Sequence, residues 1–296
     1  MILGVVMGTW GCSLSAGTMP TPTPGQVDEV GTVVAATLQA FTPSPAATES
    51  ISTQVVTSPT ATQEAEIPIS SEGVSFVLPG SVAGGANPEK MTAVESNSGA
   101  PWDIAPTHLR FTFTGYPLQG KIHEPRIYVY PAEDYAASNP QAAEQIERLK
   151  RILTGATPMQ ETLPLVPFFN AAQLFAAQIK NISFQNGSGI RALMQYDQYA
   201  APINNHELFY HFQGLSSDGK HYIIAILPIN APMLAEDENP NATVPEGGIP
   251  IPADVGPNEV YYFSVTEKLN ALSPDAFTPP LTALDVLIQS ILVANP

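Results

Sequence analysis

The chain has 296 residues, with 27 acidic side chains against 11 basic ones, a net charge of −16 at pH 7, and 30 prolines. That balance excludes nucleic-acid binding, and excludes binding to an anionic bilayer through basic residues, because both need clustered Lys and Arg. Charged residues make up only 13% of the chain, about half the usual share for a soluble domain. With abundant Thr, Ser, Ala and Pro, this suits an exported surface protein better than a cytosolic enzyme.

Residues Met1 to Gly11 form an apolar run that ends at Cys12, the one cysteine of the chain. The run is shorter than the ~20 apolar residues that cross a bilayer, but long enough for the apolar core of a signal peptide. A single cysteine rules out an intramolecular disulfide. A thiol directly after Gly11, between an apolar run and a Ser/Thr/Pro tract, resembles the lipobox of bacterial lipoproteins. In that family the thiol takes a diacylglycerol and becomes the new N-terminus. Thr9 and Trp10 depart from the pattern, which has an aliphatic and a small residue there. The missing basic n-region is read as a start codon lying upstream. The resemblance implies a signal peptide over residues 1–12, an extracytoplasmic location and membrane attachment through the lipid.

Residues 13–66 read as a disordered Thr/Pro-rich tether, too poor in apolar surface to offset the entropy of ordering. Its only charges are acidic, since no Lys or Arg precedes Lys90, and this repels it from phospholipid headgroups. One island interrupts it near 27–41: Val27, Val30, Val33 or Val34, Leu38 and Phe41 recur at three- and four-residue steps, an amphipathic helix of marginal length. The lipobox-like cysteine, the Thr-Pro repeats and this island together resemble the leaders of many uncharacterised bacterial lipoproteins.

Residues 67–296 read as one α+β domain. Val74–Leu78, His108–Thr114 and Arg126–Tyr130 alternate as strands. A helix follows, capped by Ser138 or Asn139, with Pro140 at its first position, an apolar stripe of Ala142, Ile146, Leu149 and Leu153, and Gly155 at its end. Glu144 with Arg148 and Glu147 with Arg151 pair at four-residue steps. Asn186-Gly187 and Asp218-Gly219 mark two hairpins. A polar, acidic loop from Ala231 to Pro257 leads to the β-branched and aromatic run Val260–Val265. An apolar helix begun by Pro279 and Pro280 closes the chain, and its stripe is expected to pack on Leu208, Tyr210, Phe212, Ile224 and Ile226. Strands, one helix, hairpins and a closing helix describe an antiparallel sheet with packed helices. This order, with a last helix ending in Gln289-Ser-Ile-Leu, is similar to the PsbP-like fold of extrinsic photosystem subunits and related lipoproteins, which implies a role in binding or assembly.

No motif demands a cofactor or a metal. His206 and His211, five apart on an expected strand, should face opposite ways, and His221 falls across the hairpin from neither. Glu236, Asp237 and Glu238 form an oxygen-rich cluster without the alternating register of a calcium loop. Trp102, Tyr196, Tyr199, Tyr210 and Tyr222 suit a recognition surface for a peptide, glycan or partner protein, and they also suit a core edge. The expectation is a non-enzymatic binding or assembly module on a flexible stalk. The alternative is a cell-envelope hydrolase, which a gathering of Asp197, His206, Glu207 and His221 around one cleft would favour.

Expression of the gene with its full leader is expected to yield a chain that begins at a diacylated Cys12. Mass spectrometry of the mature N-terminus checks this, and an uncleaved chain with a free thiol is the opposite result.

Overall fold

The computed structural model describes residues 65–294, except 98, 240, 254, 255, 257 and 258. Cys12, residues 13–64 of the expected tether and its amphipathic island lie outside the described residues. Among these, strands β1 (Glu66–Ser71), β2 (Val74–Pro79), β3 (Gly85–Met91), β4 (His108–Thr114) and β5 (Arg126–Pro131) come first. Helices α1 (Ala132–Ser138) and α2 (Pro140–Leu153) follow. Then come β6 (Ala172–Phe184), β7 (Gly187–Asp197), β8 (Phe209–Ser216) and β9 (His221–Pro228), and finally α3 (Glu259–Ala271), α4 (Leu281–Gln289) and the short β10 (Leu292–Val293). No described helix is long and apolar enough to cross a membrane. The fold is α+β, with every strand pair antiparallel.

The strands form two sheets, β1-β2-β10 and a seven-stranded sheet ordered β3-β4-β5-β9-β8-β7-β6. Alternation explains β4, whose Leu109, Phe111 and Phe113 are buried while the residues between them are partly open. β8 and most of β9 are buried on both faces, because a layer covers each side of the large sheet. Phe111, Ile127, Leu193, Tyr210 and Phe212 face α3, α4 and the small sheet. Ile190, Met194, Phe209, Tyr222 and Ile224 face α1 and α2.

Helix α2 forms as its sequence signals dictate. The Asn139 side chain accepts from the Gln141 and Ala142 amides, and Pro140 opens the first turn. Asn139 also donates to the Ile104 carbonyl at 2.8 Å, which ties the cap to the loop before β4. Gly155, at φ +111, closes the end. Arg148 pairs with Glu144 as expected, whereas Glu147 takes Lys150 in place of Arg151.

The ordered strands begin at Glu66 in β1, beside the expected start at Ile67. Three expectations are corrected. Two helices stand where one was read, because α1 precedes α2 with Asn139 between them. The aromatic run at 260–265 is the first half of α3: Tyr261, Val265 and Leu269 are buried at four-residue steps, while Val260 and Phe263 are 75% and 66% exposed. Finally, α4 meets Leu208, Tyr210 and Phe212, but Ile224 and Ile226 lie on the other side of the sheet, under α1 and α2. Neighbouring strands of a hairpin contribute to both faces, and which residues share a face depends on register.

Two devices lock the helices to the sheet. Asp285 of α4 is 5% exposed and Arg191 of β7 is 2% exposed; the guanidinium reaches both carboxylate oxygens at 3.3 Å. Tyr210 donates to the same carboxylate at 3.0 Å and Lys180 at 2.9 Å. The second device is a bulge in β6 between Ala177 and Lys180, with Gln178 at φ +53. The Gln178 amide donates to Asn270, and its side chain donates to the Leu269 and Leu272 carbonyls, satisfying groups that the end of α3 would otherwise leave open. Gly189 and Gly214 sit opposite each other in β7 and β8. A Cβ on Gly189 would lie 2.6 Å from the Phe212 ring, so these residues clear the space for that ring and are not a phosphate cradle.

Leu287 of α4 is fully buried, and Leu287→Ala is expected to destabilise the domain by roughly 2–5 kcal/mol, read by denaturant titration. A pH dependence follows from His211, which is 1% exposed and lies within hydrogen-bonding distance of the Gln213 side chain. Burial pushes its pKa from 6.5 down to about 3. Below pH 6.5 the unfolded chain takes up a proton that the native imidazole refuses, so stability falls with pH until the folded pKa is reached. The slope from this residue is about 1.4 kcal/mol per pH unit. Stability of His211→Gln, measured across that range, is expected to fall less steeply than that of the wild type.

Candidate functional site

An antiparallel sheet presents two ends, and each carries a cluster of polar groups. At one end, the close of β3, the start of β4, the close of β5 and the start of β9 lie side by side. The Glu72 turn, Val293 and α1 wall this end into a groove of about 690 Å³. Val74, Val94, Leu109 and Val129 supply apolar lining, and Glu72, Glu95 and Asp134 contribute three carboxylates against the single ammonium of Lys90. Lys90 lies 2.9 Å from Glu72. Two histidines also line the groove. His108 stacks on Tyr130 at 4.3 Å and donates through Nδ1 to the Pro106 carbonyl at 2.8 Å. The Nδ1 of His221 is buried without a hydrogen-bond partner. Burial lowers the pKa of both rings, so neutral imidazoles face the groove at pH 7.

The opposite end holds His206, Glu207 and Asp197. His206 is not on a strand as expected, because β8 begins only at Phe209. Instead residues 204–207 form a turn held by Asn204, whose side-chain oxygen accepts from the Glu207 amide at 3.1 Å. The acidic loop is fastened alongside: Asn205 donates from its backbone to Ala235 and from its side chain to the carbonyls of Ala231 and Leu234. This brings Glu238 to 3.8 Å from Nδ1 of His206. On the other flank the Ile122 amide donates to the His206 carbonyl, and Lys121 donates to Asn205 and Asn230.

Glu207 is 6% exposed and accepts from Gln195 at 2.7 Å. Burial, followed by repulsion from Asp197, pushes its pKa from 4.5 up to about 7. His123 stacks on Phe169 at 4.9 Å and moves the other way, down to about 4, through burial and the neighbouring His206. A carboxyl that titrates near neutrality beside imidazoles can give or take a proton, which is the property of a general acid or base.

Three of the four residues whose gathering would favour an enzyme therefore meet. The fourth, His221, is at the far end of β9, in the groove. The surface aromatics fare differently. Tyr210 and Tyr222 are fully buried and Tyr196 is 6% exposed; their hydroxyls meet Asp285, Gln213 and the Val166 amide. These three belong to the core and cannot form a recognition surface. Tyr199 is 62% exposed, and Trp102 is half-buried in the loop between β3 and β4. The Glu236–Glu238 stretch is partly consumed by its own turns, with Asp237 and Asn239 side chains accepting from the amides of Asn239 and Asn241.

His123, Lys121 and the pairing of Glu238 with His206 have no signal in local spacing, since they come from three separate loops. The groove is equally invisible, being built from strand ends far apart in the chain. Comparison with protein-family models gives no match, and comparison with curated protein sequences gives none either.

Proposed function

We propose that this protein is a non-enzymatic, extracytoplasmic lipoprotein, anchored through Cys12, whose globular domain binds a basic peptide segment of a partner protein. The observation that carries this reading is the groove at the β3-β4-β5-β9 end. Its volume of about 690 Å³ falls within the range of roughly 300–1,000 Å³ typical of ligand sites. Its wall is net negative, with small apolar side chains of Val, Leu, Ala and Pro beside the two neutral histidines. Carboxylates select a cationic ligand, and small apolar walls suit aliphatic stems of Lys or Arg. Sugar rings pack best on flat aromatic faces, and among the described lining residues the rings are imidazoles only, which favours a peptide over a glycan. In this reading the resemblance to PsbP-like lipoproteins extends to a role in assembly.

A second reading, a cell-envelope hydrolase, draws on one observation, the meeting of Glu207, Asp197 and His206 with a Glu207 pKa of about 7. Hydrolysis of chromogenic ester or glycoside substrates that is lost in Glu207→Gln would favour it over the binding module.

For the binding reading, fluorescence anisotropy with labelled Lys- and Arg-rich peptides is expected to show saturable binding that weakens with salt, as charge attraction does. Asp134→Lys, on the exposed face of α1, should weaken it at least tenfold, while Asp237→Lys at the other end should not. Equal binding by both variants, or none by the wild type, counts against the groove.

A further inference from the structure

We propose that His206, Glu207 and Glu238 form a binding site for one divalent transition-metal ion of the zinc class. One donor atom from each residue lies within 4.8 Å of the others. Donors around a tetrahedral zinc at about 2.0–2.1 Å stand ~3.3 Å apart, so the donors need to approach one another by at most about 1.5 Å. The side chains of His206 and Glu238 are 36% and 46% exposed and free to turn inward. Glu207, held by Gln195 and the turn at Asn204, is the fixed member.

A second observation points the same way. The Nδ1 of His206 and the Oδ2 of Asp197 are buried without a hydrogen-bond partner, and so is the Nε2 of His123. Asp197 lies beside Glu207, and His123 lies beside His206. Buried polar atoms left open are costly, and the open Nδ1 of His206 is the atom that stands 3.8 Å from the Glu238 carboxylate. A cation accepts lone pairs from nitrogen and oxygen together and offsets the repulsion among Asp197, Glu207 and Glu238.

The donor set selects the ion. Calcium and magnesium take oxygen ligands, whereas an imidazole with carboxylates suits zinc and its first-row neighbours. The site is independent of the peptide groove, which lies at the other end of the sheet. It stands or falls by metal binding alone, whatever the protein's activity.

Isothermal titration of zinc chloride into the full chain, stripped with chelator, is the test. One zinc per chain is expected, with micromolar or tighter affinity and a raised melting temperature. His206→Ala and Glu238→Gln should each weaken binding at least tenfold. Both alter half-exposed side chains, so circular dichroism should show them folded. His221→Ala, in the groove, should bind as the wild type does. Zinc binding undiminished in both variants overturns the proposal, as does a folded wild type that takes up no zinc. Tighter binding of calcium than of zinc also overturns it, because the imidazole would then have no part.

Discussion

The carboxylate of Asp285 is the point on which the sheet and its C-terminal layer depend. It lies inside the domain with Arg191, and both residues are almost wholly buried. Such a pair is not a large source of net stability, since desolvation cancels much of its attraction. Its effect is on uniqueness. Only one placement of α4 lets Asp285 meet Arg191, Tyr210 and Lys180 at once, so a helix whose apolar stripe could slide by a turn is held in register. Arg191 also donates to the Gln178 carbonyl, at the bulge that closes the end of α3. One guanidinium thus ties the β6–β7 hairpin to α4, which lies 94 residues further along the chain.

Local patterns made some of this architecture legible. Alternation identified β2, β4 and β5, and the Asn139 cap with Pro140 identified α2, because these signals act within a few residues. The α3 helix was hidden because Val260, Tyr261, Tyr262 and Phe263 are residue types that favour strands, and tertiary burial of Tyr261, Val265 and Leu269 overrides that preference. The strand β3 was hidden because Asn87, Pro88 and Glu89 carry no apolar face, so its pairing with β4 alone defines it. The faces of the β8–β9 hairpin were mixed for a third reason: a strand buried on both sides has no alternation to read.

Polar groups were less legible than the core. Tyr196, Tyr210 and Tyr222 look like surface residues because each carries a hydroxyl, yet each hydroxyl has an internal partner, across the same hairpin for Tyr222 and far off in sequence for the other two. Glu207 is an unremarkable acid in the sequence. Its chemistry comes from Gln195 on a neighbouring strand and from Asp197 beyond it. His206 was given a strand and a face, whereas the chain is still turning there, and the turn is what presents its ring to the acidic loop.

The two outer strands of the large sheet differ in how they end the ladder. On one side β3 carries Pro88, which has no amide hydrogen, between the exposed residues Asn87 and Glu89. On the other, β6 is broken at Gln178, whose backbone is already engaged by Asn270. Unpaired edges invite strands from other molecules, and proline, charge and bulges are the means of refusing them. A chain confined to a membrane plane by a lipid, as proposed, would meet its own copies at high local concentration. With both borders of the sheet closed to pairing, crowding in that plane does not by itself lead to fusion of sheets.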